Sequence, residues 1–210
     1  MKRIIFLIYI CLFTFNWGKA WSLIEVDITR GNLNPLPLAV SPLSVDQNSK
    51  EKFKDLLKIE DIGAEISKVV ENNLRQSGLF NPLDPKAFLQ KPDIAHVKPR
   101  FEDWALIKAQ ALITGEVKIV DEKLRVEFRL WDVLAGKEIM ALAFNTVSEN
   151  WRRVGHIITD KVYQRLTGEK GYFDTRIIYV AEEGPKTSRI KKLAIMDQDG
   201  FKTGKSMDDK

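Results

Sequence analysis

The sequence predicts an α+β fold: a mixed β-sheet of about five strands with two longer helices on one side, followed by a short two-strand appendage. Three observations predict it. Residues 111–120, 123–133 and 138–147 form consecutive strand-like runs separated only by turns. Two stretches, one ending at Gly78 and one at Gly168, carry apolar residues at helical spacing. Hydrophobic residues make up 44% and charged residues 30% of the 210 positions, the balance of a globular chain with a core. That balance excludes a disordered tail, a collagen-like fibre, a multi-span membrane protein and a disulfide scaffold.

Taken in order, Ile24, Val26 and Ile28 alternate with Glu25, Asp27 and Thr29, which reads as a half-exposed strand. Gly31, Asn32 and Asn34 make a turn before a short strand over 36–40. Residues 42–58 are polar and weakly patterned, and read as a loop. Ile59, Ile62, Ile66, Val69, Val70 and Leu74 then form one helical face, with Asp61 near its start and Gly78 suited to end it. Asn81-Pro82 and Asp84-Pro85 block further helix, and residues 101–110 give a shorter helix carrying Trp104.

In the middle strand of the meander, Leu124, Val126, Phe128 and Leu130 alternate with Arg125, Glu127 and Arg129. One face is buried and the other solvated. Ser148 is placed to cap the last helix, whose stripe is Trp151, Val154, Ile158, Val162 and Leu166. Two strand-like runs follow, 176–181 and 190–196, with a polar, Lys-rich end.

Charge and cysteine usage are dominated by the first twenty residues. Met1-Lys2-Arg3 precedes an apolar run over 4–15, broken only by Thr14, and Gly18-Lys19-Ala20 supplies small residues before a cut after Ala20. These are the three parts of a secretory signal peptide, residues 1–20. The run falls short of the roughly 20 residues that span a bilayer, although Trp17 and Trp21 extend it in the alternative of a permanent anchor. After cleavage no stable membrane insertion is expected. Bulky Ile10 before Cys11 argues against lipid attachment, and Cys11, the one cysteine, leaves with the signal. So do Lys2, Arg3 and Lys19, which leaves 30 basic residues against 29 acidic ones. The full chain's charge of +4 and pI near 9.0, the sole support for a nucleic-acid-binding domain, thus belong largely to the signal.

Chemistry-bearing patterns are few, and no catalytic, cofactor-binding or metal residue is assigned. His96 has no second histidine or cysteine beside it. His156 and Asp160 are four apart on one helix face, half of a hydrolytic triad, and a secreted hydrolase using them is the alternative reading. No serine lies in a G-x-S-x-G context, so a structural or surface pairing is favoured. Asp197-Gln198-Asp199-Gly200 lacks the remaining ligands of a calcium loop and reads as a strand-to-strand turn. Gly204-Lys205-Ser206 lacks the preceding glycine of a phosphate loop. The segment Trp21, Ser22, Leu23, Ile24, Glu25, Val26, Asp27 and Ile28 is suited to partner binding, because an alternating strand at a free terminus can extend another protein's sheet. An edge strand of its own sheet fits these residues equally well.

Several runs resemble the TolB family of periplasmic Tol–Pal proteins. They are Asn73-Leu74-Arg75-Gln76-Ser77-Gly78-Leu79-Phe80 and Ala109-Gln110-Ala111-Leu112-Ile113-Thr114-Gly115-Glu116-Val117. The most specific starts at Trp151-Arg152-Arg153, passes through His156, Asp160 and Tyr163 to Leu166-Thr167-Gly168, and continues through Gly171, Phe173, Thr175-Arg176-Ile177 and Tyr179-Val180. The resemblance implies an α/β domain (residues 21–168) preceding a six-bladed β-propeller, no enzymatic activity, and no cofactor. It implies that Trp21 to Ile28 bind the C-terminal domain of TolA, that the propeller docks the lipoprotein Pal, and that the system supports outer-membrane integrity and constriction at division. Residues 169–210 then read as a linker and an incomplete first blade. A propeller closes with about four to eight blades, so Pal docking is expected only if the missing propeller is present.

Overall fold

Ile24 and residues 34–90 and 98–201 are described in a computed structural model. Their elements run β1 (Leu36–Val40), β2 (Ser44–Val45), α1 (Gln47–Leu57), α2 (Ile62–Gln76), β3 (Phe80–Pro82), α3 (Phe101–Leu106), β4 (Ala111–Val120), β5 (Lys123–Asp132), β6 (Lys137–Thr146), α4 (Trp151–Thr167), β7 (Arg176–Glu183) and β8 (Ile190–Asp197). The main sheet has the order β3-β1-β4-β5-β6, with β2 continuing the β1 lane beside β4. β1 is parallel to β3 and β4, whereas β4, β5 and β6 are antiparallel. This is the mixed sheet of an α+β fold, and β7 and β8 pair separately as an antiparallel hairpin.

Alternation builds the meander. Leu124, Val126, Phe128 and Leu130 are buried together on one face, and the turn at Asp121 and Glu122 has φ values of 49° and 60°. Such a mirror-image turn matches the right-handed twist of its strands. α2 and α4 lie over that face, where Ile62, Ile66, Val70 and Leu74 meet Val154, Ile158, Val162 and Leu166 in one core. The two longer helices therefore share one side of the sheet, as the stripes predict. Their close approach requires Gly155, where a Cβ would lie 2.9 Å from Val69 Cγ1. On the opposite face, among the described residues, one end is covered by α3 with Leu83 and Phe88, where Trp104 packs in a smaller cluster with Leu112, Trp131 and Val133.

The rest of that outer face is charged. Glu127 lies 2.7 Å from Arg125 Nε and 3.0 Å from Lys118 Nζ. Hydrogen bonds from Arg125 first, then Lys118, hold its carboxyl at about 2.

Three details differ from the sequence reading. Residues 42–58 are not a loop but contain β2 and α1. α1 buries only Ser49 and Phe53, so it has no stripe to betray it, and tertiary bonds hold it in place. Ser49 Oγ donates to Asp46 and accepts from the Ile119 amide. Ser148 does not cap α4; it starts a single 3₁₀ turn, and α4 follows Asn150 with no side-chain cap. Residues 80–82, beyond the helix-ending Gly78, form the edge strand β3, where a proline is tolerated. The expected signal peptide 1–20 and its cut after Ala20, the strand at 24–28 except for Ile24, Gly31 and Asn32 of the turn that ends at Asn34, His96, and Gly204-Lys205-Ser206 lie outside the described residues.

Gly63, in the first turn of α2, offers a sharp test of this packing. A Cβ there would sit 1.9 Å from the Leu43 carbonyl oxygen, a backbone atom that cannot swing aside. Gly63→Ala is expected to lower unfolding stability by about 2 kcal/mol or more in urea titration, and more than Gly155→Ala, whose neighbour is a side chain. A second expectation concerns acid. The Glu127 carboxyl is held below its ordinary 4.5 only in the folded state, so its contribution is present above that value and lost as pH falls towards 2. Glu127→Gln should flatten the acid-unfolding curve in this window and cost only about 1 kcal/mol at neutral pH, because the network is partly solvated.

Candidate functional site

A buried polar joint sits where α2, α4 and the turn after β8 meet. Each contributor is placed by the fold just described. Asn73 comes from the inward face of α2, and His156 and Thr159 come from the face of α4 that meets it; all three are buried. Asp197, Gln198 and Asp199 arrive from the end of β8, in a turn closed by Gly200 at φ 86°, whose amide donates to the Asp197 carbonyl, and by the Asp197 amide donating to the Phe201 carbonyl.

Hydrogen bonds run through this joint in one direction. Thr159 Oγ1 donates to the Gly155 carbonyl at 2.8 Å, which leaves the oxygen to accept from Asn73 Nδ2 at 3.2 Å. The same Asn73 amide nitrogen faces His156 Nδ1 at 2.9 Å, so Nδ1 accepts and the ring proton resides on Nε2. Asn73 Oδ1 accepts from Gln198 Nε2 at 2.8 Å. His156 Nε2 lies 3.6 Å from Asp197 Oδ2, beyond hydrogen-bond reach, and is buried without a hydrogen-bond partner among the described residues. Arg152 pairs with Asp199 through Nη2, holds Nε 3.8 Å from Asp197, and stacks on the Phe201 ring at 3.9 Å. Arg176 Nε lies 4.0 Å from the other Asp197 oxygen.

This geometry corrects the pairing that the helix spacing suggested. His156 and Asp160 share α4, yet the structure does not join them. Asp160 instead accepts from the amides of Phe173 at 2.7 Å and Asp174 at 3.1 Å, fixing the segment after α4. Gly171 lies so close to it that a Cβ would meet Asp160 Oδ1 at 2.3 Å. Arg153 adds a two-pronged bond to Asp174. The histidine's acidic neighbour is Asp197, forty-one residues downstream, which no local spacing could have indicated. Asp197-Gln198-Asp199-Gly200 is a turn, as expected, but it closes on Phe201 and directs its side chains into the helix pair.

The joint has little chemistry to offer a substrate or a metal. His156, Asp197 and Asp199 place potential ligand atoms within 4.8 Å of one another. Both carboxylates already face guanidinium groups, however, and with Nδ1 accepting from Asn73 the ring proton occupies Nε2, so the set does not fit a divalent cation. His156 is buried and, among the described residues, no nucleophile is bonded to it, which removes the geometric basis of the hydrolase reading there.

Of the predicted partner-binding residues 21–28, only Ile24 is described. It is half-buried and packs against the main core. The terminal hairpin leaves several large apolar side chains exposed. Ile178 and Val180 of β7 and Leu193 of β8 are all exposed on one side, and Ile177 on the other is exposed, while Tyr179 and Ile195 are half-buried. No helix among the described residues is long and apolar enough to cross a membrane.

Residues 24–139 match the TolB amino-terminal domain. The chain is 83% identical over 183 residues to the Tol-Pal system protein TolB of Pelagibacter ubique, an alignment that covers 87% of this chain and 41% of that protein. The crystal structure of TolB from Acinetobacter baumannii superposes with a TM-score of 0.60 at 23% identity, covering 85% of this chain and 40% of the other, a likeness of fold. The chain thus spans about two fifths of the length of these relatives.

The fixing of the segment after α4 can be tested. Asp160→Ala leaves the Phe173 and Asp174 amides without their acceptor, and it is expected to cost about 1–3 kcal/mol in denaturant unfolding, with faster amide exchange at those two residues. Asp160→Asn, which keeps one acceptor oxygen, should lose less.

Proposed function

The chain belongs to the TolB amino-terminal domain family of the Tol–Pal system, and from that premise we propose that it is a non-enzymatic interaction module that binds the C-terminal domain of TolA. The contact is made by Trp21, Ser22, Leu23, Ile24, Glu25, Val26, Asp27 and Ile28. The observation that carries the proposal is the alternation of Ile24, Val26 and Ile28 with Glu25 and Asp27 in a match to the family that starts at residue 24. In a strand added to a partner's sheet, backbone N–H and C=O groups supply affinity, and alternate side chains supply specificity. Ile24 packs against this chain's own core, and Val26 and Ile28 are then left to face the partner's core while the two acids remain in solvent.

On this reading residues 1–20 are a signal peptide cut after Ala20, the module works in the periplasm, and residues 21–168 are the TolA-binding domain. Its part in outer-membrane integrity and constriction follows from the system to which the family belongs. Residues 169–210 are a linker and the opening of a propeller blade, and the exposed Ile177, Ile178, Val180 and Leu193 favour this, because a propeller strand is covered by neighbouring blades. Docking of Pal belongs to the propeller as a whole and is not proposed for these residues.

Strand addition has a direct test. Val26→Pro removes a ladder donor in the middle of the strand. The mature chain carrying it should bind the TolA C-terminal domain at least about tenfold more weakly by calorimetry, a loss of about 1.4 kcal/mol, while Val26→Ala, which keeps the backbone bonds, loses less. Equal affinity of the proline variant and the unaltered chain would sink the strand model.

A further inference from the structure

We propose that β6 is the site at which two copies of this chain pair, antiparallel and centred on Leu142, so that their sheets run on as one. The inference is independent of the TolA reading and starts from a difference between the two edges of the main sheet. An exposed edge offers unpaired N–H and C=O groups to any other strand, and folds blunt it with short strands, prolines, charges or bulges. At one edge β3 is three residues long and ends in Pro82. At the other, β6 runs for ten residues, and among the described residues no strand pairs with its far side. Its bulge lies near the Lys137 end, opposite Leu130 and Trp131. Beyond the bulge, Met140-Ala141-Leu142-Ala143-Phe144-Asn145-Thr146 is regular and holds no charge, proline or glycine. That is the composition that favours association between strands.

The helix-side face of this run is unfinished. Met140, Leu142 and Phe144 stand opposite Leu130, Phe128 and Val126. Phe128 is 1% exposed, whereas Leu142, one strand further out, is 38% exposed. Phe144 stacks on Phe128 and is half-buried. A neighbouring strand with apolar residues at the same alternate positions continues this face, and β6 itself supplies the pattern. With Leu142 opposite Leu142 of the second copy, Met140 of each faces Phe144 of the other. A two-fold axis normal to the sheet relates the copies, so both helix layers stay on one side.

The other face selects the register. There Ala141 stands beside Arg129, and Ala143 beside Glu127. Centring on Leu142 sets Ala141 against Ala143 of the second copy, so Arg129 of each chain shares a row with Glu127 of the other. An open groove runs along Glu127, Arg129, Ala141 and Ala143, and the small alanines leave these longer side chains space to lean across it. Centring on Ala141 instead aligns the two Arg129 side chains, and centring on Ala143 aligns the two Glu127 side chains, each a like-charge row. Within its own chain Arg129 already pairs with Glu138, and Glu127 with Arg125 and Lys118, so the pattern contributes to register rather than to affinity. One pair of seven-residue runs buries less than the ~1,200 Å² of a standard stable interface, and the pairing is therefore weak and concentration-dependent.

The test is sedimentation of the mature chain, residues 21–210, between about 10 µM and 1 mM. Expected is a shift from one copy to two. The shift is lost in Leu142→Lys, where two ammonium groups meet at the centre, and kept in Leu193→Lys, which places a charge on the exposed hairpin instead. Because Cys11 is the one cysteine, the mature chain has none, and cross-linking reads the register. Leu142→Cys is expected to join two copies through a short bismaleimide, since facing residues lie about 5 Å apart, whereas Thr146→Cys, about 27 Å from its counterpart, is not. This arm decides alone if Leu142→Lys fails to fold. A chain that stays a single copy up to about 1 mM overturns the proposal. So does association that survives Leu142→Lys, vanishes in Leu193→Lys, or cross-links equally well from position 146.

Discussion

Much of this molecule depends on the contact between α2 and α4 at Gly155 and Val69. Two helices over one face of a narrow sheet must either splay, leaving the strands beneath half-covered, or approach until their backbones nearly touch. The missing side chain at Gly155 permits the second solution. Leu124, Val126, Phe128 and Leu130 are then sealed from water. The same approach brings Asn73 of one helix into hydrogen-bond range of His156 and Thr159 of the other. A residue chosen for its lack of bulk thus determines both the dry core and the polar joint.

The parts of the fold that read clearly from the sequence are those in which local pattern and burial agree. The stripes of α2 and α4 and the alternation of β5 each match one buried face, so periodicity alone locates them. α1 escaped because its residence depends on one phenylalanine and on Ser49, whose partner amide is Ile119, seventy residues away. β3 escaped because three residues are too few to alternate, and it exists by pairing with β1. In both cases the deciding interaction is tertiary.

At the joint, the residues themselves were visible in the sequence while their partnership was not. Position four residues along a helix is a good guide to angular proximity and a poor one to bonding, since side chains also answer to whatever packs over them. α2 covers His156, and the chain leaving α4 covers Asp160, so two neighbours on one face serve different segments. The Asp197–Gln198 pair could be recognised as a turn but not as a partner of α2. The TolB resemblance supplied what periodicity could not, a named partner expected for the alternating residues at 24–28.

The joint also has a consequence for the order in which the chain assembles. Gln198 reaches Asn73 across 125 positions, whereas the meander closes through two-to-four-residue turns and α2 packs directly on α4 over one face of the sheet. Closing a long loop is entropically costly until both of its ends are held in place. Asn73 and His156 become a receptor for the turn only after the two helices have packed, so hairpin docking is expected to be the last step of folding. For a polypeptide that emerges from its N-terminus, residues 34–167 can complete their core while the segment that closes the joint is still arriving.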